Sequence, residues 1–147
     1  MSNMMFFIVM LIAAVLQFTI LRYINVLIIL AVFVGLREDM WKSLLYGMLI
    51  GLVADIFSIT DFGLNMFLYG AISTICNFAR KHIYYKENIL MDMVFTFTGA
   101  ALFYLLYFIF TRNLHVSIFC TALLSSVASP LIFRLCEDNK EAADQSL

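Results

Sequence analysis

The sequence predicts an all-α integral membrane protein with six transmembrane helices, of which the second is short. Of its 147 residues, 64% are hydrophobic and only 13% are charged, and its mean hydropathy is +0.98. A soluble domain is nearer half apolar and a quarter charged. The charged residues also divide the chain into six apolar stretches, which set the number and the length of the predicted helices.

Five of the six apolar stretches meet or approach the length that a membrane-spanning helix requires. A helix needs about 20 residues to cross about 30 Å of hydrocarbon. Residues 26–36 fall short of that length, so they form a thin or half-buried helix unless residues 22–25 extend it. A five-span topology therefore stays open as an alternative. The six stretches are residues 4–21, 26–36, 43–59, 62–79, 89–111 and 116–136.

The basic residues favour six spans with both termini in the cytoplasm of an inner-membrane protein. In that topology only two of the nine Lys and Arg residues, Arg22 and Arg112, face outward. The positive-inside rule expects such an asymmetry. The first helix lacks a basic n-region and a cleavage site, so we expect it to be retained rather than removed as a signal. The seven inward-facing residues are Arg37, Lys42, Arg80, Lys81, Lys86, Arg134 and Lys140.

The chain is predicted to form one membrane domain, residues 1–136, followed by a short acidic cytoplasmic tail, residues 137–147. The tail has no large apolar residue before its last position, so we expect it to be disordered. The net charge of −1 and the absence of a long basic patch argue against a nucleic-acid partner. Since no soluble domain fits in the short connections, the helix faces and a few short loops must carry the function.

Asp55 is the most informative polar residue, because it interrupts the third apolar stretch. It stands about 18 Å along the helix from Ser43, where an ionisable side chain must face a partner or a cavity. In a structural interpretation, its carboxylate accepts backbone N–H groups at the start of the next helix, around residues 62–64. In a functional interpretation, it relays protons or binds a cation. The structural interpretation is favoured, because no second buried acid lies nearby to form a relay.

Small residues mark the same face of the third predicted helix. Gly47, Gly51 and Asp55 recur every four residues, and GMLIG is a GxxxG motif, which permits close approach of two helices. This face either packs within the protein or docks a helix of another protein, and the frequency of the motif favours internal packing. Beyond the turn, Gly63 permits a strained backbone, and Asn65 is a candidate to bond across helices.

The last apolar stretch contains Pro130, the only proline of the chain. We expect it to kink the helix, and we expect the hydroxyl of Ser125 or Ser126 to satisfy the carbonyl that loses its donor.

The sequence has no nucleophile elbow, no phosphate-binding glycine loop and no paired acids on one face. His82 and His115 lack metal-ligand spacing. The sequence thus predicts no enzyme, no cofactor and no metal site.

The stretch GMLIGLVADIFSITDFGLNMFLYGAI resembles the rod shape-determining MreD family. In that family the third and fourth helices carry glycines and one acid around a short outer turn. The final stretch, SSVASPLIFRL, is similar to the proline-containing last span of the family, whereas the entry to the second helix lacks the proline that many members have. The matching positions here are Gly47, Gly51, Asp55, Gly63, Asn65 and Pro130.

The resemblance implies a non-enzymatic subunit of the bacterial cell-elongation machinery in the inner membrane. Such a subunit associates with the single-span protein MreC, and through it with the MreB filament and the RodA–PBP2 peptidoglycan synthase. The implied fold is similar to that of the substrate-binding subunits of energy-coupling-factor transporters, so a vitamin-binding subunit is the alternative. That role needs a pocket with polar groups and a lid, and the outer loops are short. A third alternative, an ion or proton carrier, depends on Asp55 alone.

Overall fold

Six α-helices make up the computed structural model, which describes residues 3–19, 24–57, 63–83, 88–112 and 118–144. Each helix coincides with one of the six predicted apolar stretches, which confirms the all-helical class. Most of the predicted outer connections, and residues 84–87 of the loop at residues 80–88, lie outside the described residues. The helices are α1 (Asn3–Thr19), α2 (Val26–Arg37), α3 (Met40–Phe57), α4 (Leu64–His82), α5 (Ile89–Thr111) and α6 (Ile118–Asp144).

Three of the helices are long and apolar enough to cross a membrane. They are α3, α5 and the Phe119–Glu137 part of α6, whereas α1 and α2 contain apolar segments that are shorter. Large apolar side chains also cover the outside of the bundle. On α5, for example, Leu105, Ile109 and Phe110 are each more than half exposed. Lipid would solvate such a surface, so the chain is a membrane protein.

The short helix α2 lies at the centre of the bundle, where it contacts all five other helices. Every residue from 26 to 36 is buried. At 1.5 Å per residue, its 12 residues cover about 18 Å, which is well below the about 30 Å of a hydrocarbon core. The predicted short second helix is therefore an interior helix that its neighbours shield from lipid.

Polar side chains satisfy the N-terminus of α2. The Asn25 Oδ1 atom accepts a hydrogen bond from the backbone N–H of Ile28 at 3.1 Å. The Gln17 Oε1 atom, which belongs to α1, accepts one from the N–H of Leu27 at 2.9 Å. The first N–H groups of a helix have no partner within the helix, and an unpaired polar group in hydrocarbon costs several kcal/mol. These two side chains therefore allow a helix to begin inside the bundle.

Two side chains of α4 satisfy the C-terminus of α2 in the same way. The Asn77 side-chain amide donates to the carbonyls of Gly35 at 3.1 Å and Glu38 at 2.7 Å. The Arg80 guanidinium donates to the carbonyl of Leu36. A cation at this position also complements the negative end of the helix dipole. Both ends of α2 are thus fixed by hydrogen bonds from surrounding helices.

Helix α6 continues to Asp144, so the prediction of a disordered tail is wrong for residues 137–144. This segment consists mainly of Glu, Lys, Ala and Asp, and it contains neither glycine nor proline. Ala, Glu and Lys have high helix propensity, so the sequence favours continuation of the helix beyond residue 136. The helix crosses the predicted domain boundary without a break.

Candidate functional site

The predicted glycine face belongs to the contact between α3 and α4, which is the most extensive helix contact in the described part of the chain. Ser43, Gly47, Gly51 and Asp55 recur every four residues along α3, and all four are buried. Residues at this spacing lie on one side of a helix. Together they cover about 18 Å of the length of α3. We call these four residues the α3 ladder.

The two glycines of the α3 ladder approach the backbone of α4. A Cβ atom at Gly51 would lie 2.4 Å from the Asn65 carbonyl oxygen and 2.4 Å from the Met66 Cα atom. A Cβ atom at Gly47 would lie 3.1 Å from the Gly70 Cα atom. Backbone atoms cannot rotate away as side chains do, so both positions require glycine. The GxxxG face is therefore used for packing within the protein.

A reciprocal serine pair joins α3 and α4 at one end of the ladder. The Ser43 hydroxyl donates to the Ser73 carbonyl at 3.0 Å, and the Ser73 hydroxyl donates to the Ser43 carbonyl at 2.9 Å. Hydrogen bonds between membrane helices are worth about 1 kcal/mol each. Sequence reasoning missed this pair, although Ser43 continues the four-residue spacing of the ladder.

At the other end of the ladder, the Asp55 carboxylate caps the N-terminus of α4. Its Oδ2 atom accepts hydrogen bonds from the N–H groups of Gly63 and Met66, both at 3.0 Å. Its Oδ1 atom accepts one from the N–H of Asn65 at 3.2 Å. The residue is only 2% exposed. The sequence predicts this capping for donors around residues 62–64, and the observed donors extend to residue 66.

Gly63 and Asn65 contribute to the cap through their backbone. Gly63 has φ = +97°, a left-handed conformation that a residue with a Cβ atom rarely adopts, and nothing lies within 4 Å of a Cβ built there. Gly63 has no side chain to cap the helix, so Asp55 takes over that function from α3. Asn65 bonds to Asp55 by its backbone N–H, which is the cross-helix bond that the structure shows for this residue.

Pro130 lies apart from the α3 ladder, inside α6. Because proline has no N–H, the carbonyl of Ser126, four residues earlier, loses its helical donor. The Ser129 hydroxyl donates to that carbonyl at 2.8 Å. The predicted donors were wrong, because the Ser126 hydroxyl bonds to the Met93 carbonyl of α5 instead. The Ser125 hydroxyl accepts a hydrogen bond from the backbone N–H of Asn25, which precedes α2.

The Ser129 hydroxyl should matter only while proline is present. We expect Ser129→Ala to lower the free energy of unfolding by about 1 kcal/mol, because it leaves the Ser126 carbonyl unpaired. In a Pro130→Ala background, the restored N–H of residue 130 takes over, and Ser129→Ala should have little effect. Thermal unfolding of all four proteins in one detergent measures this coupling. Equal losses in both backgrounds would show that Ser129 acts elsewhere.

A polar junction that the sequence did not predict surrounds Asn25, where α2 begins. Its Oδ1 atom also accepts from the Tyr69 hydroxyl at 3.3 Å, and its side-chain amide donates to the Tyr104 hydroxyl at 3.4 Å. Its backbone N–H donates to the Ser125 hydroxyl at 2.9 Å. The junction thus links α2 to α4, α5 and α6. Convergent polar groups of this kind could bind a ligand, but here they bond to one another.

The comparisons with known proteins leave the geometry as the main guide to function. No family model, curated protein or solved structure matches the chain. Within the described helices, no three His, Cys, Asp or Glu side chains come together in a way that could hold a metal ion. The candidate site is therefore the α3 ladder with its α4 partners. It unites Gly47, Gly51, Asp55, Gly63 and Asn65 and leaves out Pro130.

Proposed function

We propose that the chain is a non-enzymatic scaffold subunit of the MreD type in the bacterial inner membrane. In this role it supports cell shape and lateral-wall peptidoglycan synthesis by binding other membrane proteins. The observation that carries the proposal is the Asp55 cap, in which a buried carboxylate accepts three backbone N–H groups. A carboxylate held in this way stabilises a helix junction, and a proton or cation carrier needs an acid that can exchange its partner.

The spatial arrangement of the residues that carry the family resemblance supports the same proposal. Gly47, Gly51, Asp55 and Gly63 are spread over 17 positions of the sequence, yet all of them lie at one α3–α4 contact. A shared motif then has a physical reason, because each residue is needed to join these two helices closely. In such a scaffold the closely packed α3 and α4 would be the rigid element, and the partners would contact the outward-facing surfaces of the helices.

The proposed partners are an MreC-like single-span protein and, through it, a RodA–PBP2-like synthase and an MreB filament. Purification of the tagged protein in mild detergent, followed by mass spectrometry, tests this proposal. Recovery of a single-span partner together with a peptidoglycan synthase would support it. An unrelated tagged multi-pass protein from the same membrane is the control. Recovery of ATPase subunits with a bound vitamin would instead identify the transporter alternative and contradict the scaffold.

The proposal includes six spans with both termini in the cytoplasm. We therefore expect a membrane-impermeant thiol reagent, added from outside, to label a cysteine at position 115 but not one at position 82. His82 ends α4, whereas His115 lies outside the described residues. The measurement needs a background in which the three native cysteines, at 76, 120 and 136, are replaced. Outside labelling of position 82 would overturn the proposed topology.

A further inference from the structure

An open groove lies between α1 and α6, with α2 as its floor. Within the described residues, α1 packs against α2 and α3, and none of its Cα atoms comes within 8 Å of a Cα atom of α6. The space between them has a volume of about 510 Å³. Its walls and floor include Ile12, Leu16, Val26, Leu30, Ala128 and Leu131.

The lining of this α1–α6 groove restricts its occupant to hydrocarbon. Thirteen residues line it, and all of them are aliphatic except Cys136. No charged side chain and no amide is among them. A polar ligand would lose its hydration there without gaining hydrogen bonds, which costs several kcal/mol. An apolar chain has no hydrogen bonds to water to lose on entering the groove.

The length of the groove matches one leaflet of a bilayer. On α6 it extends from Val127 to Cys136, which at 1.5 Å per residue is about 13 Å. The hydrocarbon core is about 30 Å thick, so one leaflet contributes about 15 Å. A single acyl chain therefore has the reach to fill the groove from end to end. A spanning helix would extend well beyond it.

The size of the groove also argues against a second copy of the chain or the helix of another protein as the occupant. A helix with side chains is about 10–12 Å wide, so a spanning helix encloses on the order of 3,000 Å³. That is several times the volume of the groove. Stable protein interfaces use about 20–30 residues on each side, whereas 13 residues line this groove. A helix could cover the opening but could not fill the space above α2.

We propose that the α1–α6 groove binds one acyl chain of a membrane phospholipid. The bound chain lies between the walls that α1 and α6 form, above Val26 and Leu30, which are already buried in the bundle. Ala13 and Ala128 make this depth available, because larger side chains at these positions would occupy the space themselves. This inference goes beyond the scaffold function and does not depend on it.

Photolabelling with a lipid probe tests the proposal on the intact protein. The protein is reconstituted into vesicles of phosphatidylethanolamine and phosphatidylglycerol that contain a phosphatidylcholine with a diazirine in its acyl chain. After illumination, mass spectrometry locates the adducts. We expect groove residues of α1 and α6 to be labelled about tenfold more than exposed α5 residues, a preference of about 1.4 kcal/mol. Leu105 and Ile109 provide the α5 reference, since both are lipid-exposed.

Ala128→Phe should reduce labelling of the groove to the level of the α5 reference, because the ring fills the space. Ala101→Phe is the matched control on the exposed surface of α5, and it should leave the labelling unchanged. Should Ala128→Phe fail to fold, the comparison of groove and α5 in the unaltered protein still decides. Equal labelling of the two surfaces would overturn the proposal. So would efficient cross-linking of a photoreactive residue at Leu131 to a second copy or to another protein.

Discussion

Gly51→Ala is expected to destabilise the protein by about 3 kcal/mol, although it adds a single methyl group. The added Cβ atom would lie 2.4 Å from the Asn65 carbonyl oxygen and from the Met66 Cα atom. Both atoms belong to the α4 backbone, so α3 and α4 must move apart. Separation would also pull Asp55 away from the N–H groups that it caps. We expect Gly51→Leu to prevent accumulation of the protein altogether, as measured by its level in membranes.

Gly70→Ala is the matched control for this prediction. Gly70 lies on α4 at the same interface, but the nearest atom to a Cβ built there is Met48 Cγ at 3.0 Å. A methionine side chain is flexible and can shift by a few tenths of an ångström. We expect Gly70→Ala to change the melting temperature in detergent only slightly. Similar losses for Gly51→Ala and Gly70→Ala would contradict the assignment of Gly51 to a backbone contact.

The spacing of Gly47, Gly51 and Asp55 was sufficient to predict the contact face of α3. Residues four apart lie on one side of a helix, and small residues there permit close approach. The sequence also predicted correctly that the Asp55 carboxylate caps the start of α4, because few residues separate α3 from α4. The sequence left open whether the glycines pack within the protein or against the helix of another protein, since a GxxxG motif serves both uses. The close approach of Gly51 to the α4 backbone at Asn65 and Met66 shows that they pack within the protein.

Two other close contacts escaped sequence reasoning because each depends on an isolated glycine. A Cβ atom at Gly35 would lie 2.6 Å from the Ser73 carbonyl oxygen, and one at Gly99 would lie 2.7 Å from Val32 Cγ2. Gly99 has no small neighbour four residues away, and the only such neighbour of Gly35 is Ala31, so neither glycine belongs to a GxxxG motif that would distinguish it from a glycine that faces lipid. Such positions follow from the packing of three helices and not from the periodicity of one.

The interior position of α2 was equally hidden from hydropathy. In a membrane protein, a helix that faces lipid and a helix that faces protein are both apolar, so composition does not separate them. Its short length and the polar residues that cap it from other helices were the available signals. Gln17 and Asn77 interrupt apolar stretches far apart in the sequence, and the structure brings them to opposite ends of α2. Their shared role, hydrogen bonding to backbone groups at the ends of α2, depends on how the helices pack together.

Asp55→Leu is expected to be far more damaging than Asp55→Asn. Leucine leaves the N–H groups of Gly63, Asn65 and Met66 buried without an acceptor, at about 1–3 kcal/mol for each. Asparagine keeps one oxygen, which in the Oδ2 position still accepts from Gly63 and Met66. Its amide would then face the Asn65 N–H, and the charge that complements the helix N-terminus would be lost. We expect a loss of about 1–2 kcal/mol for Asn and at least twice that for Leu.

The same pair of substitutions separates a structural carboxylate from a transporting one. The measurements are membrane level, melting temperature in detergent and cell shape, in a strain that depends on this gene. Asp39→Asn is the matched control, because Asp39 is exposed at the N-cap position of α3, where Asn and Asp are about equally favourable, so the change should be mild. A structural cap predicts that function follows protein level, with Asn near normal and Leu strongly reduced. Complete loss of function with Asn at a normal protein level would mean that ionisation of Asp55 is required, because asparagine cannot ionise.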